Sequence, residues 1–327
     1  MTWRVRIGLW AAAGVTAVFR FHALFANTFH ADEALFATWA RYIAAWRDPL
    51  LLTQAVDKPP LLFYLQALFY LYPVLGPTEI AARLPNFIAS ILLVPLVGVW
   101  AWRLFGDGVT AVLAAFLIAL SPFAIQFSAT AFTDPLLTFW LVAAFVAAAK
   151  TTPRPRKMAQ EHQATVQEQV VTAHGSRLTA HSSQPTAPQA FLAAFLFSLA
   201  VATKYQAWLF LPLLLGMGWL QGWRRRDWLR FGLGLLPVLA VLLAWSAARG
   251  GGLALWSAQM GNFGGVRLIW SWELWPRLAA WLGLWRWLFV WPLWGVVVVA
   301  ALLRPFLPSN WTRMNTDEHG LNRHYSQ

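Results

Sequence analysis

Apolar runs recur along the chain at 7–26, 84–104, 109–128, 135–149, 190–203 with its continuation, 205–222, 231–248 and 280–302. A run of about 18 residues or more is long enough to cross a hydrocarbon core as a helix. The pattern therefore predicts an all-α fold, a polytopic transmembrane helical bundle of about eight spans. One further run, LLFYLQALFYLYPVLG at 61–76, has only about a dozen residues before Pro73, well short of a core of about 30 Å at 1.5 Å per residue. It predicts a juxtamembrane or re-entrant helix. Residues 27–65 are too charged to cross, yet Leu35, Trp39, Ile43 and Trp46 recur at a helical period. That spacing predicts an amphipathic helix lying in the interface with its tryptophans toward lipid.

The first run follows Arg4 and Arg6 as a signal peptide would, but Arg20 and His22 interrupt it and no small-x-small cleavage site follows. It reads as an uncleaved span. Residues 151–189 are polar and rich in Pro, Gln, Ser and Thr, with too few apolar positions to bury a core, which predicts a disordered loop. His162, His174 and His181 fall in it at irregular spacing and read as solvated side chains rather than a metal site. No repeat of 20 to 50 residues is visible. The expected organisation is one membrane domain, 1–327, with 27–83 as a first extracytoplasmic loop carrying interfacial helices, 151–189 as a cytoplasmic loop, and 304–327 as a tail.

Composition agrees: 59% hydrophobic, 12% charged and 22 tryptophans is far more apolar than a soluble domain tolerates. The net charge of +12 comes from arginines in short loops between apolar runs, not on one soluble face. It is an orientation signal, and no nucleic-acid partner is expected. Cysteine is absent, which excludes disulfides, thiolate metal sites and cysteine nucleophiles. Placing the basic clusters Arg4/Arg6, Arg154/Arg156/Lys157 and Arg224/Arg225/Arg226/Arg230 inside requires an even number of crossings between the first two. With 61–76 not spanning, residues 27–83 and Asp134 face outward and the turn around Asp107 faces inward.

Asp32, Glu33, Lys58 and Asp134 then share one face. Asp32-Glu33 opens a helix, where two acids complement the dipole and cap free N–H groups. Asp134-Pro135 has the spacing of an N-cap followed by proline at the first helical position. Lys58 in DKPPLLFYL can pair with Asp57, or meet a lipid phosphate at headgroup level. Lys204, between two apolar runs, and Arg20, in the outer third of the first span, are candidates for phosphate binding or simple snorkelling. Arg83 reads as an interface anchor paired with Glu79. Two acids from distant parts of the chain at one depth, where charge is costly, favour a site.

The ordered set ADEALFATWARYI, DKPPLLFYL, EIAARLPN, LFG, LSPFAIQFSATAFTDPLLTFW and ATKYQAWLFLPLLLG, over roughly 20–149 and 190–226, resembles the GT-C glycosyltransferases of the protein O-mannosyltransferase and lipid A aminoarabinose transferase type. The resemblance implies a plasma-membrane transferase using a polyprenyl-phosphate-linked sugar and a glycan, lipid or protein acceptor, in an outward cavity under the first loop. It matches Asp32 to the first-loop acid, Lys58 to the lysine that meets the lipid phosphate, and Asp134 to a second acid. The chemistry fits: a carboxylate takes the acceptor's proton, and a cation neutralises the departing phosphate. Catalytic candidates are thus Asp32, Glu33 and Asp134, and phosphate-binding candidates Lys58, Lys204 and Arg20. Attack opposite the phosphate would invert the anomeric centre. Sugar, acceptor and metal dependence are left open, a divalent cation being allowed but not required. Related transferases continue through several more spans, so a short or truncated member is expected. The alternatives are an inactive transferase, a non-catalytic polyprenyl-lipid-binding protein or a transporter.

Overall fold

The computed structural model describes residues 1–26, 28–71, 75–149, 188–250 and 271–288, and among these the regular structure is helical without strands. The helices are α1 (Trp3–Ala26), α2 (Ala31–Ala44), α3 (Leu61–Tyr70), α4 (Glu79–Phe105), α5 (Gly108–Ala119), α6 (Pro122–Ser128), α7 (Thr133–Ala148), α8 (Pro188–Thr203), a 3-10 turn at Tyr205–Phe210, α9 (Leu211–Leu220), α10 (Arg225–Ala248) and α11 (Ser271–Leu288). The chain forms two compact units, one of residues 1–120 and 124–269, the other of 121–123 and 270–327. In the second, α11 carries Glu273 in its first turn and Pro276 within it. The three loop histidines, nearly all of 151–189, most of the run 280–302 and the tail 304–327 lie outside the described residues.

This is a membrane protein. Three helices, α1, α4 and α10, are long and apolar enough to cross a bilayer, and α5 with α6 would be a fourth if that pair, bent by 59°, is one broken span. Helices α3, α7, α8 and the segment 205–220 are apolar but shorter. At ten residues, α3 is about 15 Å long, half of a hydrocarbon core.

Local chemistry sets the ends of these elements. Thr78 caps α4 by accepting from the Ala81 N–H at 3.2 Å, and Gly106, with φ of 68°, closes it. Asp107 then starts α5, its Oδ2 accepting from the Thr110 N–H at 2.7 Å. Within the first unit α8 packs between α7 and α10, α4 packs on α1, α5 and α7, and α2 lies on α3. Small residues permit the close approaches: a β-carbon on Gly234 of α10 would meet the backbone oxygen of Phe191 in α8.

The helical period of α2 is as expected, but its orientation is not. Trp39 and Ile43 are buried rather than turned to lipid. Trp39 stacks edge-on with Phe63 of α3, ring centroids 4.9 Å apart, and contacts Phe36 at 5.5 Å. The apolar stripe thus packs on α3 because aromatic pairing there adds to area burial. Trp46, at 79% exposed, lies beyond the helix end.

Candidate functional site

The chain enters α2 through His30, whose extended backbone makes it the N-cap and whose Nδ1 accepts from the Asp32 N–H at 3.3 Å. Glu33, one turn in, closes the cap by accepting from the His30 N–H through Oε2 at 2.9 Å. Its other oxygen accepts from the Ala131 N–H at 2.6 Å, just before α7 begins. One buried carboxylate therefore ties the starts of α2 and α7 together. Arg83 of α4 sits beside it, Nε to Oε1 3.5 Å with both side chains buried, while its Nη1 donates to the Leu24 carbonyl at 3.0 Å. Its guanidinium also lies 4.8 Å from the Phe29 ring centre. The expected pairing of Arg83 with Glu79 is thereby corrected: burial of Glu33 demands a cation, and Arg83 is the one at hand.

Asn86, one turn further along α4, donates to the carbonyls of Thr130 and Phe132 at 2.7 and 2.6 Å. The His30 and Phe132 rings lie 5.5 Å apart. These contacts fix two neighbouring helix starts, each with an acid near its mouth: the Asp32 side chain is 63% exposed and that of Asp134 is 52% exposed. Asp134 is not the N-cap expected from Asp-Pro. Phe132 holds that position, and Asp134 sits in the first turn with its carboxylate turned to Lys204.

Lys204 occupies the break between α8 and the 3-10 turn, in extended backbone, and its ammonium is 2.7 Å from Asp134 Oδ1. Lys58 is 2.6 Å from Asp57, both half-buried, and Pro59-Pro60 lead into α3. Val56 on one side of Lys58 and Leu62 on the other enter an apolar cluster that also contains Ala131 and Leu136 and against which Phe29, Phe132 and Tyr205 pack. The segments bearing Asp32, Lys58, Asp134 and Lys204 thus gather round one core, with Glu33 beneath. Arg20 is not brought there. It is fully buried in α1 and donates to the carbonyls of Ser90 in α4 and Ile118 in α5.

Two residues contribute that the sequence pattern does not mark as part of the site: Arg83, and Arg249 at the end of α10. Arg249 donates to the carbonyls of Leu50 and Gln54 at 3.2 and 2.9 Å and lies over the Trp245 ring at 4.8 Å, clasping the loop between α2 and α3. Asp48 braces that loop from within, accepting from Leu52 N–H, Thr53 N–H and the Thr53 hydroxyl at 2.7, 2.8 and 2.7 Å. Burial pushes the Asp48 carboxyl up, but these bonds and the Arg249 charge outweigh it and hold it below its ordinary value. A signal for Arg249 existed: an arginine at the outer end of a span on the expected topology, against the usual charge bias.

Chemically, the arrangement offers two exposed carboxylates, Asp32 and Asp134, in first helical turns whose N–H groups and dipoles favour anions, the second of them paired with the Lys204 ammonium. Among the described residues no three acidic or histidine side chains converge as a metal cage would need. Residues 57–157, less than a third of the chain, match the family model of dolichyl-phosphate-mannose-protein mannosyltransferases. No curated protein and no solved structure matches the chain. The matched stretch contains Lys58, Arg83, Asn86 and Asp134, while Asp32, Glu33 and Lys204 lie outside it.

Proposed function

We propose that this membrane protein is a GT-C-type glycosyltransferase that moves a sugar from a polyprenyl-phosphate-linked donor to a hydroxyl of a lipid, glycan or protein acceptor, with inversion. The family match supports the class of reaction. The observation that carries the site is the Glu33 tie, which sets exposed Asp32 beside the helix start bearing Asp134 and its partner Lys204. The loop 27–83 and Asp134 face the outside of the plasma membrane, the segment 151–189 faces the cytoplasm, and the shorter helices α7 and α8, with the segment 205–220, join the longer ones in a bundle of about eight spans.

In this reading Asp32 takes the proton of the acceptor hydroxyl as its oxygen bonds to the anomeric carbon and the bond from that carbon to the phosphate oxygen breaks. The electron pair leaves with the polyprenyl phosphate. Lys58 meets that charge, and Lys204 shares itself between Asp134 and the phosphate. Glu33 acts as a positioning residue, and Arg20 ties α1 to α4 and α5. The test is release of polyprenyl phosphate by purified protein from a panel of lipid-linked sugars. Release from at least one donor is expected. Donor binding without release from any of them would contradict the reading and favour the lipid-binding alternative.

A further inference from the structure

The C-terminal end of α2 breaks a local rule. Trp46 donates its N–H to the Ile43 carbonyl at 3.0 Å and Arg47 donates to that of Tyr42 at 3.1 Å, the paired bonds with which a helix closes through one left-handed residue. That residue is ordinarily glycine, because a β-carbon is strained there. Here it is tryptophan, with φ of 54°. The indole recovers little from the protein, since it is 79% exposed. A bulky ring held in strained backbone and left mostly exposed points to a partner outside the chain.

Beside it is a recess of about 250 Å³ lined by Thr38, Arg41, Tyr42, Ala45 and Arg47. Both arginines are exposed, and neither forms an ion pair among the described residues. The acid nearest in sequence, Asp48, is turned into its own loop by Leu52 and Thr53. Two guanidinium forks over one recess match the oxygens of a phosphate. The neighbouring chain suggests its source: Trp46, and Leu50 at 39% and Leu52 at 55% exposure in the loop that follows, are apolar side chains left exposed in a chain that spans a membrane. Tryptophan and arginine together belong at headgroup depth.

We propose that the recess at the C-terminal end of α2 binds the phosphate of an anionic membrane lipid, gripped by Arg41 and Arg47 with Trp46 seated among the headgroups. Arg41 lies about 14 Å along the helix from Asp32, and neither Asp32 nor Glu33 lines the recess, so it is separate from the sugar-transfer site. A lipid held there fastens the far end of the helix whose first turn carries those acids. The proposal needs only a membrane and stands if the transferase reading fails.

The test adds phosphatidylglycerol to the full purified chain in detergent and counts bound lipid by native mass spectrometry, with phosphatidylcholine and inorganic phosphate as separate arms. Phosphatidylglycerol should bind in preference to phosphatidylcholine, and the double variant Arg41→Gln/Arg47→Gln should bind it about 30-fold more weakly. Trp46→Gly suits the turn, so it should keep the thermal stability of the parent chain while losing part of the lipid affinity. Unchanged affinity in the double variant overturns the proposal. Displacement of the lipid by an equal concentration of inorganic phosphate, or loss of stability in Trp46→Gly, would show a free-phosphate site or a tryptophan held by the protein, and either result also overturns it.

Discussion

Asp32 and Glu33 are neighbours in sequence with opposite surroundings, because successive helical residues point about 100° apart. One is left exposed at the mouth of α2 and the other is buried under it. The sequence made both candidates. Only the packing of α4 and α7 separates a carboxylate open to a ligand from one consumed in holding the site. That the cation beside Glu33 is Arg83, fifty residues on, has no local signature, and so the pairing was not legible. The arrangement carries a clear expectation. Glu33→Gln leaves the buried Arg83 guanidinium without its counter-charge, which should cost about 3–5 kcal/mol. A lowered midpoint of thermal unfolding in detergent measures it, and a second change of Arg83→Leu in the same chain should restore much of the loss. An unshifted midpoint in Glu33→Gln would mean that the pair does not support the fold.

Among elements, the apolar runs within the described residues are helical, those at 109–128 and 205–222 each in two pieces, and the short run before Pro73 is the short helix α3, because length and hydropathy act locally. Orientation did not follow. In a membrane chain the side of a helix facing protein and the side facing lipid are both apolar, so periodicity shows a stripe without showing its neighbour. Trp39 illustrates this, having been expected against lipid and being found against Phe63. Close packing has a better local signal in small residues. Gly234 lets α10 meet the backbone of α8, and Gly234→Ala should force the two apart at a cost of about 1–3 kcal/mol. The same substitution at Gly232, which has open space about it, is the control and should not destabilise. Equal behaviour of the two variants would refute the proposed close contact.

For the molecule as a whole, the family match over 57–157 supports the class of reaction, and the proposed placing of the site on the outer face rests on the charge bias alone. The absence of cysteine makes the orientation easy to test, since any introduced thiol is the sole target. Ala45→Cys should react with an impermeant reagent on intact cells, and Arg226→Cys should react only after permeabilisation. The reverse pattern would invert the topology and with it the placing of the site. The central claim, that Asp32 is the base in transfer from a lipid-linked sugar, is tested most directly by turnover and donor affinity in Asp32→Asn. The variant keeps size while removing basicity and leaves the His30 cap in place, so turnover should fall by about 100-fold or more with donor affinity largely retained. Near-normal turnover in a folded, monodisperse Asp32→Asn preparation would contradict it.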